Sequence, residues 1–423
     1  MYHGLSMGRR LAPLRRSLDA MPSPVRDRPG LLLRDPFRYT ENVVIVPSPL
    51  VPFLRFFDGG HDEGDLAAAL YRATGELGAG EYARSLADSL GREGFLEDDE
   101  LERRRSERES SFAGASVREP SQQGAAYPAD EAALHATLAR YLEGAGADEE
   151  PAPRRVLAVA APHVSPEGGW RSYASAYRAL PEDAGERTVV VLGTSHYGAP
   201  ERFGLTRKPY RTPLGDTSVD LAVVDFLTAG GGEAAVAEDY CHAVEHSIEF
   251  QVVFLQHLLG AAVRVVPVLC GPLAKATLGT ERPEDDPHVA RFLDALADLA
   301  AREGHRLLWV LGVDMAHVGR RYGDDEPARA GEGAMRAVEE HDRRRIATLV
   351  SGDASAFWEQ VREAGDELRW CGASALYAFL RAVGPRPGAL LRYEQWNIDP
   401  ESVVSFGALA FGEAAASAGE GDP

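Results

Sequence analysis

Apolar and polar positions alternate in a regular way through the second half of the chain. Short, continuously or almost continuously apolar runs stand at residues 156–161, 189–192, 263–269, 307–311 and 403–411. Stretches of helical spacing lie between them, at 247–259, 290–302, 332–349 and 374–383. A short run that is apolar throughout is buried on both sides, and repeated β–α alternation of such runs predicts an α/β fold. Its sheet should be mainly parallel and covered by helices on both faces. Ahead of it, Asp130 is placed to cap a helix in which Leu134, Leu138, Tyr141 and Leu142 recur at helical spacing, and residues 150–153 break that helix with prolines.

The first hundred residues follow another pattern. Leu31-Leu32-Leu33 and Val43-Val44-Ile45-Val46 read as a short hairpin, and Asp58-Gly59-Gly60 ends the apolar run that closes at Phe56-Phe57. Leu66, Leu70 and Tyr71 then mark one helix, and Tyr82, Leu86 and Leu90 mark a second, followed by Phe95-Leu96 as a short strand. Helix, helix, short strand resembles a winged-helix module, in particular the small peptide-recognition domains found beside radical-enzyme and peptide-modifying systems. Glu97-Asp98-Asp99-Glu100 runs into Arg103-Arg104-Arg105 and then into Ser, Glu, Gly and Gln, as a linker that starts in a charged helical extension. The expected organisation is a mobile arm at 1–30, a small winged-helix-like domain at 31–100, a charged linker at 101–117, the α/β domain at 118–413 and a disordered tail at 414–423.

Composition narrows the class. The formal net charge of −20 repels phosphate backbones and argues against nucleic acid as a partner. Three cysteines form no disulfide framework and suit a reducing compartment. Arg9, Arg10, Arg15 and Arg16 lead into no apolar segment, and no run of 18 or more apolar residues occurs, so a cytoplasmic chain without membrane contact is expected.

In a covered parallel sheet, ligands bind beyond the C-terminal ends of the strands. His163 comes two residues after the run 156–161, His196 four residues after Leu192, and Asp314 and His317 follow 307–311. Three strands thus each deliver a histidine to one edge. His246 opens a predicted helix in Glu245-His246-Ser247-Ile248-Glu249. It lacks the second histidine of the His-Glu-x-x-His zinc signature. The helix dipole disfavours its cation, which leaves a neutral imidazole able to take a proton. Cys371-Gly372 precedes a helix starting near Ser374, where a lowered thiol pKa suits metal binding or nucleophilic attack. Asp314 and His317 suit supporting positions, as do Ser195 and Glu249 beside the histidines. Thr212-Pro213-Leu214-Gly215-Asp216 is a turn signature, with Asp216 a candidate for the pocket rim. Cys241 and Cys270 read as small buried residues and His242 as solvent-facing.

Nine motifs, in order, add a family resemblance. They are Tyr127-Pro128-Ala129-Asp130, Pro162-His163-Val164-Ser165-Pro166, Gly193-Thr194-Ser195-His196, Thr212-Pro213-Leu214-Gly215-Asp216, Glu245-His246-Ser247-Ile248-Glu249, Val266-Pro267-Val268, Asp314-Met315-Ala316-His317, Cys371-Gly372 and Ser405-Phe406-Gly407-Ala408. Their order and spacing resemble the Memo family, including the bacterial and archaeal members called AmmeMemoRadiSam system protein B. The resemblance implies a fold similar to the class III extradiol (LigB-type) non-haem iron dioxygenases. It implies His163, His196 and Cys371 as metal ligands and His246 as the acid/base histidine. A thiolate where those dioxygenases carry a carboxylate moves the preference toward softer ions such as Cu(I) or Zn, with Fe(II) still open, so the expected cofactor is Fe(II) or Cu, with Zn as a further candidate. The implied activity is metal-dependent redox or dioxygenase-like chemistry. The alternative is a non-catalytic metal- or peptide-binding component of a modification system, with an AMMECR-type protein and a radical SAM protein as partners and a peptide ligand for the N-terminal domain. The family often has Ala-Gly-Tyr after the first Pro-His; here Val164-Ser165-Pro166-Glu167-Gly168-Gly169-Trp170 is longer and bulkier, which predicts a different pocket floor.

Overall fold

The computed structural model describes residues 8–413 apart from 24, 26 and 280. The chain divides after Gly114 into two compact units. The first seven residues of the expected arm, and the expected tail at 414–423, lie outside the described residues.

In the first unit, β1 (Asp19–Pro22), β2 (Gly30–Arg34) and β3 (Val43–Pro47) form an antiparallel meander. Helices α1 (Glu63–Thr74), α2 (Ala79–Arg92) and α3 (Asp99–Gly114) follow it. Asp62 and Asp65 form a capping box that starts α1, and Gly75, at φ 71°, ends it. Leu66, Leu70, Ala83, Ala87 and Leu90 of α1 and α2 close on Leu33, Val46 and Phe56. Residues 8–30, expected as an arm, instead supply β1 and place Leu11 in this core. The short strand expected at Phe95-Leu96 is a single bridge between Leu96 and Leu14. The segment expected as a charged linker is helical almost throughout, as α3. Asp99, Glu100 and Glu102 occupy its first turn, where the helix dipole favours them, and its arginines pair one turn along, Arg104 with Glu100, Arg103 with Glu107 and Arg105 with Glu109.

The second unit begins with α4 (Glu131–Gly144), β4 (Arg154–Ala161), α5 (Pro166–Arg178), β5 (Thr188–Thr194) and β6 (Phe203–Leu205). A small hairpin of β7 (Arg211–Thr212) and β8 (Gly215–Asp216) precedes β9 (Ser218–Val219), α6 (Leu221–Gly231), β10 (Ala235–Ala237), α7 (Cys241–Val244) and α8 (Glu249–Leu259). Then come β11 (Arg264–Cys270), α9 (Ala274–Leu278), α10 (Pro287–Glu303), β12 (Leu307–Gly312) and β13 (His317–Gly319). The unit ends with α11 (Ala334–Ser351), α12 (Ala354–Arg362), α13 (Ala373–Val383), β14 (Gly388–Asp399) and β15 (Ser402–Glu413).

The large sheet runs β10-β6-β11-β5-β12-β4-β15-β13, with β14 added to β15 and β9 to β11. Its centre, β11-β5-β12-β4, is parallel. The flanks are antiparallel, because β14 and β15 form a hairpin and β15 returns against β4, and because β6 opposes β11. All seven residues of β5 and all six of β12 are buried, as a strand covered on both faces requires. Val190, Leu192, Trp309 and Leu311 belong to the core built with α6, α10 and α13 on one face. On the other face α5 and α8 meet through Tyr173 and Tyr177, both stacked on Phe254. No helix among the described residues is long and apolar enough to cross a membrane.

Candidate metal centre

Because β5, β12 and β4 are adjacent and parallel, their C-terminal ends open on one edge. His163 leaves β4, His196 leaves β5 and Asp314 leaves β12 at that edge. The turn between α7 and α8 brings Glu245, His246 and Ser247 against it, and the segment ahead of α13 brings Cys371. This approach is close: a Cβ at Gly312 would overlap the Ser247 carbonyl, and one at Gly193 would overlap the Ser247 hydroxyl. Ser247 Oγ donates to Thr194 O at 2.7 Å and Gln251 Nε2 donates to Pro162 O at 2.8 Å, which ties the turn to both strand ends.

One ring nitrogen from each of His163, His196 and His246 lies within 4.8 Å of the others. The His196 and His246 rings are stacked, with centroids 5.1 Å apart, and His163 meets both edge-on at 4.9 and 5.4 Å. The other nitrogen of each ring is committed. His163 Nδ1 is 2.9 Å from Gly312 O. His196 Nδ1 lies 3.1 Å from both oxygens of Glu245, and His246 Nδ1 lies 3.1 Å from Glu245 Oε1. Glu245 is wholly buried and also accepts the backbone N–H groups of His196 and His246, each at 2.8 Å. One carboxylate thus fixes two imidazoles through their Nδ1 atoms. Tethers of this kind orient histidine ligands around metal ions.

Cys371 Sγ sits 3.3 Å from His163 Nε2. Asp314 accepts the His163 backbone N–H at 2.9 Å, and its other oxygen lies 3.4 Å from His163 Nε2. His317 holds its Nδ1 toward the carbonyls of Met315 and Arg369, at 2.9 and 3.0 Å, and meets the Tyr322 ring edge-on.

Burial works against charge on His163, His196, Glu245, Asp314 and Cys371, yet these groups raise and lower one another. It disfavours the His163 cation, but the Asp314 carboxylate and the Cys371 sulfur beside it raise its pKa to about 9. The His196 pKa rises well above its ordinary value against the same penalty, through Glu245 and Cys371. Burial would raise the Cys371 thiol, but His163 and His317 hold it well below the usual range. Burial would likewise raise Glu245, and His196 and His246 bring it far down. Asp314 is raised, because burial exceeds the help from His163. The site therefore favours a thiolate beside the protonated His163 and His196. In such an arrangement a metal cation can take the place of the protons.

The four residues expected to form the centre, His163, His196, His246 and Cys371, are brought together, and Asp314 and His317 stand beside them. His246 lies three residues ahead of α8 rather than within its first turn, so Glu245 is the group that orients it. Ser195 turns its hydroxyl away, accepting the Gly198 N–H at 3.1 Å, and so shapes the turn that carries His196. Both oxygens of Glu249 are taken by Arg118, Ser121, Gln122 and Tyr127. Asp216 is not at the centre. It pairs with Arg211 on the β7–β8 hairpin, and Gly215 O accepts from Gln256, ten residues beyond His246 and therefore roughly 15 Å along the α8 axis. His242 is wholly buried rather than solvent-facing, its Nδ1 2.7 Å from Tyr210 OH, and burial lowers its pKa to about 4. After His163, Val164 packs on Val404 and Phe406, and Pro166 opens α5 at once; Gly168 and Gly169 admit Trp396 and Val164 against the helix.

The main residue sequence reasoning missed is Glu245. The motif displayed it next to His246, but its hold on His196, 49 positions away, is a tertiary contact. Phe250 against His246 and Tyr322 against His317, four and five residues on, are contacts that the apolar pattern did not single out.

A family model described as Memo-like protein matches residues 118–410. A MEMO1 family protein of Aquifex aeolicus is 26% identical over 386 residues, covering 90% of this chain and 95% of that protein. One from Thermococcus kodakarensis is 31% identical over 307 residues, covering 70% of this chain and 99% of that protein. One from Methanosarcina mazei is 27% identical over 300 residues, covering 69% and 98%. With the family model spanning more than half of its length, and the spatially joined histidines lying inside the matched segment, this chain belongs to the Memo-like family.

Proposed function

We propose that this protein is a metal-dependent redox protein, with dioxygenase-like chemistry as its form. His163, His196 and Cys371 hold a transition ion, Fe(II) or Cu, with Zn the non-redox occupant, and His246 moves a proton at the bound substrate. The observation that carries this reading is the cluster of three imidazoles whose Nδ1 atoms are all committed elsewhere, with a sulfur 3.3 Å from one of them. Ions bound by nitrogen at about 2.0–2.1 Å and by sulfur at about 2.3 Å need ligand atoms roughly 3.3–4 Å apart, which suits this spread. The ion would supply Lewis acidity and one-electron chemistry. Glu245 keeps the His196 and His246 rings in place, and Asp314 holds the backbone at His163. His246, with Nδ1–H donated to Glu245, offers Nε2 as the proton acceptor.

The test is metal analysis of tag-free protein prepared without oxygen, followed by oxygen-uptake assays. About one ion per chain is expected. It should be lost in His196→Ala and altered in its spectrum in Cys371→Ser. His246→Ala should keep the ion and lose oxygen chemistry. No transition ion bound, even after one is supplied, would end this reading.

A second assignment rests on Glu245, which tethers His196 and His246 alike and so fits His246 as a third imidazole ligand. In that case His246→Ala loses the ion. A non-catalytic role in a modification system, with the first unit recognising a peptide, an AMMECR-type protein or a radical SAM protein, is tested by removing residues 1–114. Loss of partner capture with the metal centre intact would favour it.

A further inference from the structure

A second pair of histidines stands apart from the centre. His135 on α4 and His257 on α8 face one another with Nδ1 atoms 2.8 Å apart and ring centroids 5.1 Å apart, tilted by 45°. His135 is exposed and His257 is half-buried, so solvent reaches both. His257, on α8, lies eleven residues beyond His246, a rise of roughly 16 Å. The pair is thus independent of the strand-end cluster.

Two imidazole nitrogens that bind one ion side by side, each at about 2.0–2.1 Å, are themselves about 2.9–3.4 Å apart. The observed spacing needs an opening of only a few tenths of an ångström. Glu131 is exposed and lies four residues before His135, so helical spacing puts its carboxylate on the same face, one turn away. Burial, and then the neighbouring His135, lowers the His257 pKa, which favours the neutral ring that a metal requires. The competing account is one shared proton between two neutral rings, with no affinity for an ion.

We propose that His135 and His257 form a second, surface-facing site for a divalent transition ion of the Zn(II), Ni(II) or Cu(II) kind, with Glu131 and water completing its shell. Imidazole nitrogen with carboxylate and water suits these ions. An ion there clips α4 to α8, and so stabilises the folded form of the element that follows the Glu245–His246 turn.

The experiment is Zn(II) binding to tag-free, chelator-stripped full-length protein, by equilibrium dialysis and calorimetry. Wild type is expected to bind one more equivalent than His135→Asn/His257→Asn, and each single variant should weaken that equivalent at least tenfold. Zn(II) should raise the thermal midpoint of wild type by a component absent from the double variant. His196→Ala should keep this equivalent while losing the other, so that failure of the strand-end centre and failure of this site are read separately. Circular dichroism checks that the exposed substitutions leave the fold intact. Unchanged stoichiometry and affinity in the double variant would overturn the proposal.

Discussion

Glu245 is the residue on which the arrangement turns. A carboxylate with no exposure is costly unless its lone pairs are used, and here they take two imidazole N–H groups and the backbone N–H groups of His196, His246 and Ser247. Glu245→Gln keeps the size but loses the charge and one acceptor, so one ring must turn or go untethered. We expect metal affinity to fall roughly 10–100-fold, the usual effect of losing such an orienting partner, measured by competition with a chromophoric chelator. Unchanged affinity would remove Glu245 from the account. The residue was visible in the sequence as a neighbour of His246, but nothing in its spacing pointed to His196. Asp216 shows the opposite error: a turn motif in the right order, carried by a hairpin that packs on the far end of α8.

At the scale of elements, the α7–α8 turn is held from both sides. Arg118, fully buried, donates to Glu249 and to the carbonyls of His242 and Glu245, the latter two at 2.7 Å each. Arg118→Met leaves Glu249 buried without its partner and should cost about 3–5 kcal/mol in denaturant unfolding, while a double change with Glu249→Leu should recover much of that. Burial alone would raise the Glu249 pKa, but Arg118, Tyr127 and Ser121 hold it below its ordinary value of 4.5. A carboxylate whose folded pKa is lowered stabilises the fold fully above its unfolded value, and that stabilisation is lost as pH falls through the folded one. Unfolding free energy measured below about pH 4.5 should therefore fall less steeply in Glu249→Gln than in wild type. On the strand side, Gly312→Ala drives a methyl into the Ser247 carbonyl. A loss of about 1–3 kcal/mol is expected, together with weaker metal binding as the His246 turn is pushed off the sheet. If the variant binds metal as wild type does, the close approach is not what seats His246.

At the scale of the whole molecule, the two units have separate cores, one around Leu66 and Leu90 and one around the large sheet. The strand-end cluster is built only from residues of the second unit. A chain of residues 115–423 should therefore unfold cooperatively and keep the histidine cluster, checked by circular dichroism and metal titration. Loss of either would show that the first unit is needed for the second to fold.

What the sequence determined by itself was local. Near-continuous apolarity marked β4, β5, β11, β12 and β15 to within a few residues, because a strand covered on both faces holds few polar side chains. It also placed His163, His196 and Asp314 at strand ends, since polar residues return where a buried strand stops. β14 escaped notice, because Arg392, Glu394, Gln395 and Asn397 break its pattern where the strand is only half-buried. Pairing was decided by the tertiary structure alone. Only the strand order β5-β12-β4 sets the histidines side by side, and only the seating of the α7–α8 turn lets one carboxylate hold two of them. Strand order and long-range contact depend on how faces fit across the sheet, and periodicity along the chain carries no record of that fit.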